Sequence, residues 1–353
     1  MKNRYYFLIF FVLFVSLCVF WVQFKFWEGW HQIWEKEKKS ELHRETFLPQ
    51  VQNVSGIFLQ GPQEILYQKY QDFLSQTSEN LQLETYEFTS PFFKDQFKYL
   101  LHQGKKIQVI IEDQKYQQYS NPIKQLESDF SWYQGIEFKS DNQMGTMYTH
   151  SKITLNERGA WIQTANLTKS SYESNREHFF YTENAEILKN LQELFSGDRN
   201  WSPLAKEDLH PNLVVCPQNC REIIALFLNN AQEEILIQTQ YITDLALLDI
   251  LKQQFSKVKM RFLVADTDDN TDLVEYFGPW IARKFTQFYN HTKMILIDRK
   301  YLILGSMNLS QNSLDNNREI WIILIDPQFV EEFLVQFEKD WALMREKELK
   351  NFS

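Results

Sequence analysis

The sequence predicts an α/β protein built as two pseudo-symmetric sandwich lobes that follow a single N-terminal transmembrane helix. Three observations predict it. A twelve-residue segment at 166–177, NLTKSSYESNRE, returns at 308–319 as NLSQNSLDNNRE with six positions identical. Short apolar runs alternate with amphipathic helical patterns around both copies. Residues 5–24, YYFLIFFVLFVSLCVFWVQF, carry no charge, and a helix of that length spans about 30 Å, the hydrocarbon thickness of a bilayer.

The anchor comes first in the chain. No small-residue cleavage site follows it; instead it runs into Trp21, Phe24, Phe26 and Trp27, which disfavours a removed signal peptide. Leu17 before Cys18 disfavours a lipoprotein signal. Trp21, Trp27, Trp30 and Trp34 suit an interfacial aromatic belt. The expected organisation is therefore an anchor with its belt at 1–27, a polar stalk at 28–50, a first lobe at 51–201 and a second at 202–353. Counting Lys and Arg on the two sides of the anchor alone would put the catalytic part inside the cell, whereas a short basic tail before an N-terminal anchor stays inside and sends the rest out; the expectation is a single-pass membrane protein with its catalytic part outside the cytoplasm.

The bulk numbers agree. A chain of 353 residues suits two domains of about 150 residues plus an anchor. Hydrophobic residues at 44% and charged residues at 24% exclude global disorder. A net charge of −9 makes nucleic acid the less favoured partner, because backbone binding wants a basic face. Three cysteines make no disulfide framework. Cys216 and Cys220 could pair in an exported domain, but the simpler expectation is two thiols. A zinc site would need two more ligands and only His210 is near, so no metal is expected.

Within the second lobe the patterns give strands at 234–239, 259–265, 293–298, 301–304 and 320–325, a helix at 245–255 and a closing helix at 327–346. The hairpin turn falls at Arg299-Lys300. The first lobe echoes this with strands at 106–112, 152–155, 160–163 and 178–181 and a helix around 185–195. The lobes should meet near 202–211, and alternating strands and helices give an α/β sandwich in each.

Upstream of each repeat stands His-x-Lys: His150-Ser-Lys152 and His291-Thr-Lys293, the histidines 141 residues apart. On a strand, residues i and i+2 share a face, about 6–7 Å apart. Two such lobes face to face bring together two imidazoles, two ammonium groups and the amides of Asn166 and Asn308. A phosphodiester needs positive charge around its oxygens, a nucleophile, and an acid for the leaving alkoxide. One histidine can attack phosphorus while the other protonates the leaving oxygen, with no metal or other cofactor.

These residues resemble the phospholipase D superfamily motif, His-x-Lys-x4-Asp followed by Gly-Ser-x-Asn. His291, Lys293, Asp298, Gly305, Ser306 and Asn308 match it fully. The first copy keeps His150, Lys152 and Asn166, but has Glu157 for the aspartate, Gln163-Thr164 for Gly-Ser, and one residue fewer between lysine and asparagine. The resemblance implies His150 and His291 as the catalytic pair, with His150 as the attacking one. It implies phosphate binding by Lys152, Lys293, Asn166, Asn308, Ser306 and Thr164, and an orienting or structural role for Glu177, Glu319, Asp298 and Glu157. In this reading Glu177 and Glu319 hydrogen-bond the catalytic imidazoles.

Other patterns fall away. Residues 266–270, DTDDN, begin like a calcium loop, but Thr271 and Phe277 occupy positions that demand glycine and glutamate. His31, His43, His102, His178 and His210 carry no pattern. The functional expectation is a phospholipid phosphodiesterase or phosphatidyl transferase working at a membrane, with a monomer sufficient for a complete site. A nuclease of the same superfamily is the alternative, distinguished by a basic rather than apolar groove. A catalytically weak membrane scaffold is the third.

Overall fold

Short, β-branched segments between turns dictate the strands, and helices that are apolar on one stripe cover them. The structure, a computed structural model, describes residues 48–113, 122–141 and 145–351. The expected anchor, its tryptophan belt and nearly all of the stalk lie outside the described residues. Among the described residues no helix is long and apolar enough to cross a membrane. Pro49 to Ser353 form one compact unit.

The first seven strands are β1 (Ile57–Gly61), β2 (Asn80–Thr85), β3 (Lys106–Ile111), β4 (Ile136–Ser140), β5 (Ile153–Leu155), β6 (Ala160–Gln163) and β7 (Asn175–Thr182). They lie in the order β1-β7-β6-β5-β2-β3-β4. Next come β8 (Leu213–Cys216), β9 (Glu234–Thr239), β10 (Lys259–Ala265), β11 (Ala282–Phe285), β12 (Tyr289–Asn290), β13 (Lys293–Ile297), β14 (Tyr301–Gly305) and β15 (Glu319–Leu324). The second sheet runs β8-β15-β14-β13-β9-β10-β11, the same order element for element. Both sheets are mixed, parallel in the β2-β3-β4 and β9-β10-β11 thirds and antiparallel in the rest.

The lobes interlock. β12 leaves the second lobe to pair with β7 of the first, and Thr149 bridges to Arg318. Helices Ala185–Arg199 and Pro327–Asn351 put Leu191, Phe195, Phe333 and Phe337 into one cluster that also takes Ile162, Phe180, Leu304 and Ile322 from the two sheets. The segment expected to separate the lobes carries a short 3-10 turn, Lys206–Asp208, between helix Ala185–Arg199 and β8.

The strands predicted in the second lobe stand within a residue of their expected ends. β1, β2, β4, β8, β11 and β12 were not foreseen; β1, β2 and β4 mix polar and apolar residues over five or six positions, and β8, β11 and β12 are at most four residues long. The hairpin turn predicted at Arg299-Lys300 sits one residue earlier, with Asp298 and Arg299 both at positive φ (52° and 51°) and Lys300 N–H donating to the Ile297 carbonyl. That is the tight turn whose twist suits paired strands.

Asp298 and Glu157 share one task. Asp298 Oδ1 accepts from the backbone amides of Gln232, Glu233 and Glu234 at 3.1, 2.7 and 3.0 Å, at the entrance to β9. Glu157 accepts from those of Ser78, Glu79 and Asn80 at the entrance to β2. The first copy has one residue fewer between Glu157 and Asn166 than the second has between Asp298 and Asn308, and the longer side chain of Glu157 still meets the corresponding three amides. Cys216 and Cys220 are joined by a disulfide. The expectation of free thiols is thereby corrected: the turn from β8 into helix Cys220–Asn229 brings their Cα atoms to 5.1 Å.

Candidate active site

His150 and His291 each stand just before a hairpin strand, and both line one pocket of about 470 Å³ between the lobes. The backbone of each is held by the opposite lobe: His150 N–H donates to the Arg318 carbonyl at 2.9 Å, and His291 N–H to the Arg176 carbonyl at 3.1 Å. Their side chains are crossed in the same way. His150 Nδ1 lies 2.9 Å from both carboxylate oxygens of Glu319, and His291 Nδ1 lies 2.7 Å from Glu177 Oε1. The glutamate that closes each repeat therefore orients the histidine of the other. A carboxylate on Nδ1 fixes the tautomer and leaves Nε2 as the reactive nitrogen.

Burial is the largest influence on His150, and with Lys152 and Lys293 nearby it outweighs Glu319 and pulls the imidazole down to about 4. His291 is lowered for the same reasons, against the pull of Glu177. Both rings are thus neutral around pH 7, the form a nucleophile needs. Burial alone would raise Glu319; His150 and Lys152 outweigh it and keep the carboxyl below its usual range.

Lys152 and Lys293 sit beneath the histidines, 1% and 0% exposed. Each ammonium donates to the carbonyl of its own histidine, at 2.7 and 2.6 Å. Lys152 also stands over the Tyr86 ring at 5.5 Å. Burial, only partly offset by Glu177, brings Lys293 down to about 7. Asn166 and Asn308 line the pocket as expected, and the Oδ1 atom of each is buried with no hydrogen-bond partner.

Thr164 and Ser306 are not on the pocket, and their expected contact with phosphate is corrected. Both are fully buried behind the glutamates. Thr164 Oγ1 donates to Glu177 Oε2 at 2.5 Å and accepts from His178 N–H. Ser306 Oγ accepts from Ile320 N–H at 3.0 Å, the corresponding amide, and donates to the Ile320 carbonyl at 3.4 Å. Asp298 and Glu157 likewise lie at the far ends of their hairpins, away from the pocket lining.

Sequence reasoning missed what carries the glutamates. Arg318 Nη2 donates to Asp198 Oδ1 at 2.7 Å, and Arg176 Nη2 to Asp340 Oδ1 at 2.8 Å, both pairs buried. The signal was present: Arg176 and Arg318 belong to the repeat, and Asp198 and Asp340 each follow a phenylalanine by three residues, in FSGD and FEKD.

The rest of the lining is neutral and polar. Tyr86, Tyr148, Tyr241 and Tyr289 share it with Ser, Thr, Asn and Gln side chains; Glu87 is its one carboxylate, and no lysine or arginine appears among the described lining residues. The groove is therefore neither the basic one expected of a nuclease nor the apolar one expected of a lipase.

The chain matches the family described as "Cardiolipin synthase, PLD-like domain" over residues 70–201 and 224–341, well over half its length. It is similar to the "Mitochondrial cardiolipin hydrolase" of Mus musculus, 42% identical over 53 residues, 15% of this chain and 24% of that protein. It is also similar to the "Phospholipase D" of Rickettsia felis, 28% identical over 128 residues, 33% of this chain and 62% of that one. The chain thus spans less than two thirds of the length of either. Among solved structures, the phosphatidylserine synthase of Haemophilus influenzae superposes with a TM-score of 0.60 at 12% identity, covering 82% of this chain and 88% of that one. The polyphosphate kinase of Porphyromonas gingivalis gives 0.61 at 14%, covering 81% and 50%; at such identities the likeness is one of fold. With two matched segments that together take in both histidines, the chain belongs to the phospholipase D-like family.

Proposed function

We propose that this protein is a phospholipase D-type phosphodiesterase or phosphatidyl transferase, acting on phospholipids through a phosphohistidine. The observation that carries the reading is the crossed pairing at the floor of one pocket, His150 with Glu319 and His291 with Glu177. His150 Nε2 attacks phosphorus as the P–O bond to the leaving alkoxide breaks, and His291, protonated once the anionic substrate is bound, gives its proton to that alkoxide. His291 then takes a proton from water or an acceptor alcohol, whose oxygen displaces His150 from phosphorus. Lys152 and Lys293 neutralise the phosphoryl oxygens from below, with Asn166 and Asn308 donating from the sides. Nothing in these steps calls for a metal ion.

Lipid is favoured over nucleic acid because, among the described lining residues, there is no cationic track for a polyanionic backbone. The relative named for cardiolipin hydrolysis supports the same class. The apolar stretch at 5–24 would hold the enzyme at its substrate. The Cys216–Cys220 disulfide supports a site outside the cytoplasm. A monomer suffices, because one chain supplies both halves of the site.

The test offers the full-length protein mixed phosphatidyl lipids and, separately, single-stranded DNA, with EDTA present and His150→Ala and His291→Ala as controls. Lipid turnover lost in both controls is expected. DNA cleavage without lipid turnover would make the protein a nuclease, and silence on both would leave a scaffold.

A further inference from the structure

The two Arg–Asp pairs are the same clamp built twice, with one difference. In the second lobe, Asp340 lies between Arg176 and the amide of Gln238, whose Nε2 donates to Asp340 Oδ2 at 3.0 Å. In the first, Asp198 lies between Arg318 and residue 84, the position on β2 that corresponds to 238 on β9. Residue 84 is a glutamate, fully buried. Its Oε2 accepts from Ser151 Oγ. Its Oε1 and the Oδ2 of Asp198 are both buried with no hydrogen-bond donor, although the two side chains stand within hydrogen-bonding reach of each other. Two acceptors therefore meet where the other lobe has a donor and an acceptor.

The charges lead to the same point. Gln238, Asp340 and Arg176 sum to zero. Glu84, Asp198 and Arg318 sum to −1 if both carboxyls ionise, and an uncompensated charge at zero exposure is strongly unfavourable. One proton restores neutrality and supplies the missing donor. The groups facing Glu84 are Asp198 from helix Ala185–Arg199, Arg318 at the entrance to β15, and Ser151 beside His150. Among them only Asp198 can share a proton.

We propose that Glu84 and Asp198 share one proton, and that this proton closes the first of two crossed clamps whose arginines position the paired glutamates beneath the histidines. The path is short. Arg318 immediately precedes Glu319, which orients His150, and Arg318 itself holds Asp198, the Gln218 side chain and the Cys216 carbonyl. Loss of the proton sets two buried anions against each other at the root of that strand. Burial raises both carboxyls, Glu84 well above the ordinary range. The stabilisation is therefore complete below the ordinary carboxyl range, and it is lost as pH rises from there through the raised value.

The consequence for turnover rests on the phosphodiesterase reading; the proton does not. The experiment compares the full-length wild type with Glu84→Gln, which installs the amide the second lobe already uses. Difference infrared spectroscopy at about pH 8, where an ordinary carboxyl is ionised, should show a protonated carboxyl in the wild type that is gone from Glu84→Gln. The wild-type Tm should fall as pH rises toward alkaline values, and the variant should lose that fall. If the enzyme turns over lipid, the ratio of rates at high and neutral pH should be larger in the variant. No protonated carboxyl in the wild type, or equal pH slopes of Tm in both proteins, would overturn the proposal, and both readouts stand even if no substrate is turned over.

Discussion

Corresponding positions of the two lobes divide cleanly into those that are kept and those that drift. At the pocket, His150 answers His291, Asn166 answers Asn308 and Tyr148 answers Tyr289. Behind it, Arg176 and Glu177 answer Arg318 and Glu319. Away from it, the lobes part: Gln163 against Gly305, His178 against Ile320, and Gly61-Pro-Gln-Glu-Ile65 against Cys216-Pro-Gln-Asn-Cys220. The first list is what each lobe supplies to the other, since every histidine, glutamate and arginine in it has a partner across the interface. The second list has no such polar partner across the interface and answers to packing, which for His178 includes Phe333 of the other lobe. Neither lobe meets its histidine with its own glutamate, so the pocket is built by the pair.

The sharpest way to break this comparison is to ask which glutamate serves which histidine. His150→Ala and His291→Ala should each lower turnover by about a thousandfold or more, from loss of a nucleophile or an acid–base group. Glu319→Gln should cost little further in the His150→Ala background, yet keep its full penalty beside Glu177→Gln. Steady-state rates around these double-mutant cycles read the coupling. If Glu319 couples instead to His291, the crossed arrangement is wrong.

A second break lies at the most unlike pair. A Cβ on Gly305 would stand 2.2 Å from the Ile320 carbonyl and 2.6 Å from the Trp321 Cα, so β14 and β15 approach more closely than any side chain allows. Gln163, in the equivalent position, accepts from Trp161 Nε1 and Tyr172 OH and donates to the Ala165 carbonyl. Gly305→Gln should therefore destabilise by about 4 kcal/mol or more, because backbone must move. Gln163→Gly should cost less, about 2–3 kcal/mol, through two unpaired buried donors. Denaturant unfolding of both measures the difference, and equal effects would mean the two hairpins do not differ in packing as these contacts imply.

Unequal titration of the two halves gives a third. His150 must be neutral to attack, and in the free protein it titrates at about 4; Lys293 loses its charge at about 7. The kcat/KM profile should rise through the first value and fall through the second, about tenfold per pH unit on each limb. Lys293→Arg, with a cation that does not titrate here, should lose the alkaline fall at some cost in rate. A fall unchanged in that variant would assign it to His291, the acid that must carry a proton to the leaving alkoxide and that burial also lowers, with Glu84 and Asp198 the groups to test after it.

How much of this was legible follows from the same division. The histidines, lysines, asparagines and glutamates stand in or beside the repeat, and a repeat is visible without coordinates. The hairpins β5–β6 and β13–β14 were equally visible, because unbroken apolar runs flank them. The crossing was not: His150 is 169 residues from Glu319, and no local pattern says which of two like carboxylates a ring will meet. Thr164 and Ser306 were misplaced for a related reason. A hydroxyl next to a site in sequence can face backward, and these two bond to the amide that follows each glutamate rather than to the pocket. Glu157 came out as a structural carboxylate because its chemistry, acceptance from three amides, depends on reach and not on an exact side-chain length.

The smallest expected effect concerns a residue with no part in the chemistry. His178 follows Glu177 on β7, as Ile320 follows Glu319 on β15. It is fully buried, stacked on Phe58 at 5.6 Å and near Phe333 at 5.8 Å. Neither ring nitrogen has a hydrogen-bond partner. Burial and the nearby Arg176 push it well below its ordinary value. A folded-state value depressed in this way makes the neutral ring costless above the unfolded value of about 6.5, and it makes stability fall as pH drops below that, by about 1.4 kcal/mol per pH unit for one proton. His178→Ile would install the residue the second lobe already tolerates. Chemical denaturation at about pH 7.5 and pH 5.5 should show near-equal stability for the two proteins at the first and the variant ahead by about 1 kcal/mol at the second. An unchanged gap between the two pH values would mean the imidazole finds a proton acceptor within the core, and that its burial reflects more than packing.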